Sequence, residues 1–286
     1  METKNIEFAA ISRGQKYSPN HIGNDAQIFN NTVHQLLIKG HSVNVYHEDC
    51  ISINTLHEDI IFTMIRGEQA LAILQQVENQ GKLIINCTEG VLNCYRENLA
   101  RILPDNNIPF PKSIVIDTHA TDFELDKTFG SQQLWVKRGD VHAIHREDVT
   151  LVYSTEELKG IIQEYGRRGI QKAVIQEHLS GDIVKFYAVN GASFFHWYYH
   201  PGSERLPFDP EYLREIAVKS AQKLKVDIYG GDAVIGYDGS VKIIDLNDWP
   251  SYAPVRDVAA YHIANLIEKK AIAHRQLFKD TKKVVA

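Results

Sequence analysis

This sequence has few cysteines, and that scarcity excludes two classes of small stabilised domain. Its three cysteines, Cys50, Cys87 and Cys94, are an odd number and lack the CxxC spacing of a metal site. Cys87 ends an apolar run, where a free thiol behaves as a small buried hydrophobic group. Neither a disulfide framework nor a structural zinc site is therefore expected.

Long apolar runs and an excess of positive charge are also missing. No stretch approaches the roughly 18 apolar residues that predict a membrane span. The first residues, METKNIEF, lack the basic and then apolar pattern of a signal peptide. The net charge is −5, so no global positive field attracts nucleic acid. We expect a cytoplasmic protein whose partners are small molecules, with neither nucleic acid nor membrane among them.

The common nucleotide-binding fingerprints are absent too, because neither GxGxxG nor GxxxxGK[ST] occurs. What is present in the first third is an alternation of strand and helix patterns, which predicts a parallel sheet with covering helices. The predicted strands are Ile6–Ile11, Ser42–Tyr46, Asp59–Met64 and Leu83–Cys87, and the predicted helices are Asp25–Lys39 and Gln69–Gln80. The polar segment Ser12–Asp25 follows the first strand; it is either a substrate-binding loop or an ordinary surface loop.

From about residue 89 the pattern changes to hairpins. Glu89–Leu103 has helical spacing, and the sequence IPFP ends it at Ile108–Pro111. The later predicted strands are Leu134–Lys137, Val149–Tyr153, Ala173–Leu179, Ile183–Val189, Ala192–His200, Asp232–Gly236 and Val241–Asn247. The later predicted helices are Thr155–Gly169, Asp209–Leu224 and Val255–Lys270.

A hairpin signal, Asp238-Gly239, lies between the last two predicted strands. A two-residue turn there would place Asp232 opposite Asp245, and Asn247 would point to the same face. A hard divalent cation with oxygen ligands would relieve the repulsion between the facing carboxylates. From the spacing alone, a solvated hairpin end with an incidental acidic pair is the slightly better interpretation.

A second hairpin signal, Asn190-Gly191, would set Lys185 opposite His196 in the same way. A cation beside an imidazole suits an anionic ligand, although an exposed lysine and a half-buried histidine are at least as common. Lys137 ends a short strand beside Gly139, where its ammonium group can reach phosphate oxygens. A solvated lysine at the end of a strand is the commoner case.

Taken in order, these segments resemble the ATP-grasp superfamily from about Glu89 to the end of the chain. The most specific part is GGDAVIGYDGSVKIIDLNDWPSY, Gly230–Tyr252, which is similar to the family's terminal metal-binding hairpin. The resemblance implies an ATP-grasp fold, two α+β subdomains gripping ATP, preceded by an α/β parallel-sheet pre-domain. We expect that pre-domain in residues 1–88, the ATP-grasp domain in 89–286, and its lid subdomain in about 112–178.

The resemblance also implies roles for single residues. Asp245 would bridge two magnesium ions, with Asp232 and Asn247 completing their shells, and Arg96 and Lys137 would contact the phosphates of ATP. VIQEHLSGD, Val174–Asp182, looks like the hinge strand of the family, which implies adenine and ribose contacts from four residues: Gln176, Glu177, Leu179 and Asp182. The loop after Lys137 departs from the family, because it has one glycine and two histidines, His142 and His145, instead of a glycine-rich sequence.

The implied activity is that of a carboxylate–amine ligase of the RimK-like branch, with ATP and Mg²⁺, an acyl-phosphate intermediate, and a small carboxylate and an amine as substrates. Lys185 and His196 would be the catalytic cations. Ile183–Gly191 and Ile244–Tyr252 are also similar to the inositol polyphosphate kinase branch of the same fold, so a small-molecule kinase is the alternative. A nucleotide-binding module without catalysis is the third possibility, which the complete metal triad disfavours.

Overall fold

The computed structural model describes residues 5–120, 129, 133–140, 145–190 and 194–284. The strands among these residues are β1 Glu7–Ser12, β2 Ser42–His47, β3 Ile60–Thr63, β4 Leu83–Ile85, β5 Ser113–Asp117, β6 Leu134–Arg138, β7 Val149–Val152, β8 Lys172–Glu177, β9 Asp182–Val189, β10 Phe194–Tyr199, β11 Ile228–Ile235 and β12 Val241–Asp248. The helices are α1 Ile22–Ile38, α2 Glu68–Asn79, α3 Thr88–Asn93, α4 Arg96–Asp105, α5 Thr155–Arg167, α6 Pro210–Leu224 and α7 Arg256–Val284.

The first sheet is parallel and has the strand order β2-β1-β3-β4. Alternate residues of β1 and β3 point to opposite faces, and both faces are covered. Phe8 and Phe62 pack with α1 and α7 on one face, while Ile11 and Ile61 pack with α2 and α3 on the other. Burial on both faces explains why β3 is apolar throughout its length until Thr63. The strand–helix alternation in the first third therefore forms the expected α/β sheet.

The two other sheets are antiparallel and lie further along the chain. The order β5-β8-β6-β7 forms one, which packs against α5, and β10-β9-β11-β12 forms the other, which packs against α4 and α6. The chain is thus an α/β parallel sheet followed by two α+β layers, the arrangement predicted for an ATP-grasp fold with a pre-domain. None of the described helices combines the length and the apolar character that a membrane span needs.

Two helix predictions differ from the structure. The single helix expected at Glu89–Leu103 is wrong, because Tyr95 has extended backbone angles and separates α3 from α4. The last helix continues past Lys270 to Val284, and its buried face covers the parallel sheet. The described residues of the first sheet consequently share a core with α7. The boundary between residues 88 and 89 stays a prediction.

The pairing of Asp232 on β11 with Asp245 on β12 is as predicted, but the turn that was expected to produce it is different. Asp232 does lie opposite Asp245. The turn, however, has three residues rather than two, since Gly236 N donates to Ser240 O at 2.8 Å. A β-bulge between Asp232 and Ala233 then restores the pairing, with Ile244 as the extra residue on β12. The longer turn shifts the register by one residue and the bulge shifts it back, so Asp232 and Asp245 still pair.

The predicted pairing of Lys185 with His196 is wrong. Phe194 pairs with Val189, so the connection from β9 to β10 spans residues 190–193 instead of a two-residue turn. Gly191, on which that turn prediction depended, is outside the described residues. Because the connection is longer by two residues, Tyr198 lies opposite Lys185 and His196 lies opposite Tyr187. A shift of two leaves every side chain on its predicted face but moves His196 along the sheet.

Glycine geometry between β8 and β9 leads to a prediction about stability. Gly181 has φ +143°, and a Cβ atom there would lie 2.0 Å from Ile235 O. We expect Gly181→Ala to lower the free energy of unfolding by roughly 2 kcal/mol or more. Gly160, inside α5 with open space around it, is the matched control, and Gly160→Ala should raise stability by about 0.5–1 kcal/mol. Denaturant unfolding of both variants measures this, and an undiminished stability of Gly181→Ala contradicts it.

Candidate functional site

A row of charged side chains crosses three neighbouring strands of the last sheet. Lys185 on β9 lies opposite Asp232 on β11, which lies opposite Asp245 on β12. Lys185 Nζ donates to Asp232 Oδ1 at 2.8 Å. Burial alone would lower the pKa of Lys185, but the Asp232 carboxylate outweighs that effect and raises it. The lysine thus neutralises one of the two facing carboxylates.

The next row of the same sheet brings Asn247 to the site. Asn247 on β12 pairs with Gly230, which pairs with Tyr187 on β9. A Cβ atom on Gly230 would lie 2.8 Å from the Tyr187 ring and 2.9 Å from Pro250. Glycine at this position therefore allows the aromatic ring and the proline turn to close over the strand next to Asn247.

Arg96 is the counter-charge of the second carboxylate. It is the first residue of α4, and its Nη2 lies 3.2 Å from Asp245 Oδ2. Within the described residues, its buried Nε and Nη1 atoms have no hydrogen-bond partner. A buried guanidinium with unused donors is costly unless something binds to it. This arginine can therefore accept an anionic ligand while keeping its contact with Asp245.

Lys137, at the end of β6, joins the middle sheet to the last sheet. Its Nζ donates to Gln176 Oε1 at 2.7 Å and to the carbonyl oxygen of Ile244, the bulged residue of β12, at 3.3 Å. Burial lowers the pKa of Lys137 to about 8; the charge of Asp245 opposes this shift and that of Arg96 adds to it. A nearby phosphate would favour the charged form.

The four residues expected to contact adenine and ribose lie along β8 and at the start of β9. Gln176 is buried and bonds to Lys137 and to Ser113 Oγ, at 3.1 Å, so its amide is already engaged. Glu177 Oε1 accepts from Lys112 N at 2.8 Å. Leu179 is half-buried between the strands. Their roles toward a nucleotide stay predictions.

Asp182 and the histidines have structural neighbours of their own. The two carboxylate oxygens of Asp182 accept the backbone N–H groups of Glu204 and Leu206, at 2.8 and 2.6 Å. His145 caps a short 3₁₀ helix at Arg146–Asp148. His142 is outside the described residues. His196, displaced from Lys185, is not among the residues that line the cavity described next.

A cavity of about 270 Å³ lies beside the charged row. One wall consists of Lys185, Tyr187, Gly231, Asp232, Asp245 and Asn247. The opposite wall comes from the loops that follow β1 and β3 and from the first turn of α1. It contains Arg13, Tyr17, Ser18, Pro19, Asn20, His21, Asp25 and Arg66. The Ser12–Asp25 segment therefore lines a cavity at the carboxyl end of the parallel sheet, where ligands of such sheets bind. Arg66 was missed by the sequence analysis.

Glu48 holds both arginine loops in place. Its carboxylate accepts the backbone N–H of Gly14 at 2.6 Å, of Arg66 at 3.0 Å and of Gly67 at 2.5 Å. A Cβ atom on Gly67 would lie 2.3 Å from Tyr17 Oη, so only glycine fits between this carboxylate and the tyrosine. The signal in the sequence is a repeated Arg-Gly pair directly after an apolar strand, ISRG and MIRG.

The donor set of the charged row fits magnesium that is bound together with a phosphate. Within the described residues, no three His, Cys, Asp or Glu side chains group to hold a metal unaided. Magnesium is usually held by one or two carboxylates plus substrate phosphates. Asp232, Asp245 and Asn247 offer such a set: both carboxylates border the cavity and keep 24% and 14% of their side-chain surface exposed.

Comparison with solved structures identifies the fold. The chain is similar to the D-alanine–D-alanine ligase of Coxiella burnetii, with a TM-score of 0.73 and 14% identity over 98% of this chain and 99% of that one. It is similar to the D-alanine–D-alanine ligase of Bacillus anthracis complexed with ATP, with a TM-score of 0.70 and 14% identity over 95% and 99%. It also matches a RimK-domain ATP-grasp protein of Sphaerobacter thermophilus, with a TM-score of 0.66 and 16% identity over 91% and 99%.

Sequence comparison adds nothing to this likeness, because no protein-family model and no curated protein matches the chain. The structural matches cover nearly the whole of both chains. The protein therefore has the ATP-grasp fold. At these identities the likeness establishes the fold alone, and the chemistry has to be argued from the residues of the cavity.

The shifted lysine predicts a change of stability with pH. The folded chain holds Lys137 at a pKa of about 8, below the 10.5 of an unperturbed lysine. Below pH 8 both states carry the proton; between pH 8 and 10.5 only the unfolded state does, so stability rises with pH there. The gain is at most about 3 kcal/mol. Lys137→Met should lack this rise when unfolding is compared across that range without nucleotide, and parallel curves for both proteins contradict it.

Proposed function

We propose that this protein is an ATP-dependent carboxylate–amine ligase that uses two magnesium ions and forms an acyl phosphate. The observation that carries the proposal is the charged row beside a cavity, with Asp232, Asp245 and Asn247 on one sheet face. Arg96 and Lys137 approach the same row from other elements. Oxygen ligands together with phosphate-binding cations are what phosphoryl transfer requires.

In this proposal each described residue has a task. Asp232, Asp245 and Asn247 would hold the metal ions, which neutralise charge on the transferred phosphoryl group. Arg96 would contact the phosphates through its two unused nitrogens, and Lys137 would do so once charged. Lys185, whose ammonium group lies beside Asp232, would stabilise the developing negative charge on the acyl group.

The nucleotide base would lie between the middle and last sheets, beside Gln176, Glu177, Leu179 and Asp182. Two contacts already connect those layers: Lys137 with Ile244 O, and Lys242 with Glu177 at 3.7 Å. Binding there would require these contacts to open or to be exchanged for contacts with ATP. The ligases among the structural neighbours, one of them solved with ATP, agree with this proposal.

A small-molecule kinase is the alternative that the cavity supports. Arg13, Arg66, Arg96 and Lys185 all line it, and a cationic cavity suits a phosphorylated acceptor. The expected pair of Lys185 and His196, which would suit an anionic ligand, gives the kinase no support, since His196 lies opposite Tyr187. A binding module without catalysis has no observation in its favour.

Product analysis separates the ligase from the kinase. A ligase that forms an acyl phosphate should release ADP and inorganic phosphate in equal amounts. It should also yield a hydroxamate when hydroxylamine replaces the amine, since that nucleophile captures activated acyl groups. A screen of amino acids, small peptides and dicarboxylates against inositol phosphates should show this pattern only with carboxylates. ADP without free phosphate, formed with an acceptor that lacks a carboxyl group, would identify a kinase instead.

The metal site is tested by removing one negative charge. Asp245→Asn keeps an oxygen acceptor for Arg96 but should bind magnesium poorly, so turnover should fall by at least about 100-fold. Asp105→Asn, the same change at an exposed position at the end of α4, is the control and should leave turnover intact. Turnover is measured by ADP release over a magnesium titration. Full activity of Asp245→Asn at saturating magnesium shows that the site is not as proposed.

A further inference from the structure

The geometry points to a carboxylate-binding subsite at Arg66, and we propose that the acid substrate carries a second carboxylate besides the one that is activated. That this acid is a substrate rests on the proposed ligase function. The subsite itself is an arrangement of described residues on the wall of the cavity that faces the acidic row. A dicarboxylic acid is the simplest compound of this class.

Arg66 lies on the wall of the cavity, where a bound ligand would contact it. It follows β3 at the carboxyl end of the parallel sheet and lines the cavity, although its side chain is only 8% exposed. Its backbone is fixed on both sides, because Glu48 accepts its N–H and Tyr95 Oη donates to its carbonyl oxygen at 3.1 Å. The backbone of Arg66 is therefore held in place before any ligand binds, which reduces the entropy lost on binding.

One guanidinium nitrogen of Arg66 lacks a hydrogen bond, whereas each guanidinium nitrogen of its neighbour Arg13 donates one. Arg13 donates from all three of its nitrogens, to Met64 O at 2.9 Å, Asp25 Oδ2 at 2.8 Å and Trp249 O at 3.0 Å. Arg66 Nε forms an ion pair with Asp248 Oδ1 at 3.6 Å, beyond hydrogen-bond distance, and has no hydrogen-bond partner within the described residues. Its Nη2 reaches Asp248 O only at 3.4 Å. Arg13 thus has a structural role, whereas Arg66 has a guanidinium nitrogen that could donate a hydrogen bond to a ligand.

Burial and the neighbouring charge of Arg13 both disfavour the charged guanidinium of Arg66, and an anion bound to it would offset both effects. Burial lowers the pKa of Arg66 to about 10, and the charge of Arg13 adds to the shift, while Asp248 and Asp25 oppose it. The guanidinium is thus buried beside a like charge. A ligand carboxylate would compensate both effects and could bind in the two-pronged geometry that a guanidinium prefers.

A carboxylate suits this subsite better than a phosphate group. Asp25 and Asp248 lie close to the two arginines, so a group with two negative charges would be repelled more strongly than a group with one. The cavity of about 270 Å³ has room for a small diacid. One end of such an acid would bind to Arg66, and its other carboxylate would lie toward Arg96 and Lys185.

The test measures binding without turnover. Succinate, glutarate and adipate are titrated calorimetrically into the protein with magnesium and a non-hydrolysable ATP analogue, beside the monoamide of each acid and inorganic phosphate. At least one diacid should bind about 10- to 100-fold more tightly than its monoamide. Equal affinities of every diacid and its monoamide, tighter binding of phosphate, or no binding by any diacid would each overturn the proposal.

Variants assign the effect to the arginine. Arg66→Met should abolish the difference between diacid and monoamide, and Arg66→Lys should keep part of it because the charge remains. Arg101→Met, on the exposed surface of α4, is the control and should retain the full difference. If Arg66→Met does not fold, a reduced preference of Arg66→Lys for the diacid over its monoamide supports the same conclusion. An unchanged preference in either variant contradicts the proposal.

Parallel measurement of ADP and phosphate keeps this proposal separate from the ligase function. Diacids that bind through Arg66 without any release of ADP and phosphate would refute the ligase and leave the subsite intact. Monocarboxylates that support turnover with the same kcat/KM in Arg66→Met and the unchanged protein would refute the subsite and leave the ligase intact.

Discussion

Strand β12 is the element on which the rest of the structure depends. Elements from every layer contact the seven residues from Ile243 to Trp249, which are the second part of the strand and the residue after it. Ile243 N donates to Pro109 O, Ile244 O accepts from Lys137, and Asp245 pairs with Arg96. Asp248 and Trp249 are held by Arg66 and Arg13. Three of these five contacts come from arginines, which can bind carbonyl and carboxylate oxygens alike. The proposed metal ligands are thereby fixed relative to the loops that form the other wall of the cavity.

Charge neutralisation explains why so many cations meet at one strand. Two facing carboxylates at a partly buried position would destabilise the sheet if nothing compensated them. Lys185 and Arg96 compensate them in the structure as it stands. If the carboxylates held magnesium as proposed, the same cations would be free to contact a ligand. The charges that stabilise the fold would then also be the charges that the proposed reaction uses.

Sequence patterns predicted the described strands except β5, the parallel sheet and the facing acidic residues. They were least accurate where local turns determine register. The three-residue turn and the bulge at Ile244 cancelled, so Asp232 still meets Asp245. No such compensation exists between β9 and β10, and His196 was consequently misplaced by two residues. Arg66 was not predicted because its role depends on β1 and β3 being neighbours, which the order of elements along the chain does not reveal.

The bulge at Ile244 shows how a local irregularity can serve the site. An unbroken ladder continuing from the three-residue turn would pair Asp232 with Ile244 and would turn Asp245 to the opposite face of the sheet, because side chains alternate along a strand. The extra residue returns Asp245 and Asn247 to the face that carries Asp232, and it presents the Ile244 carbonyl group to Lys137. A straight hairpin could supply the acidic face or the contact to the middle sheet, whereas the bulged strand supplies both. The irregularity is therefore the feature of β12 that couples the acidic row to the neighbouring layer.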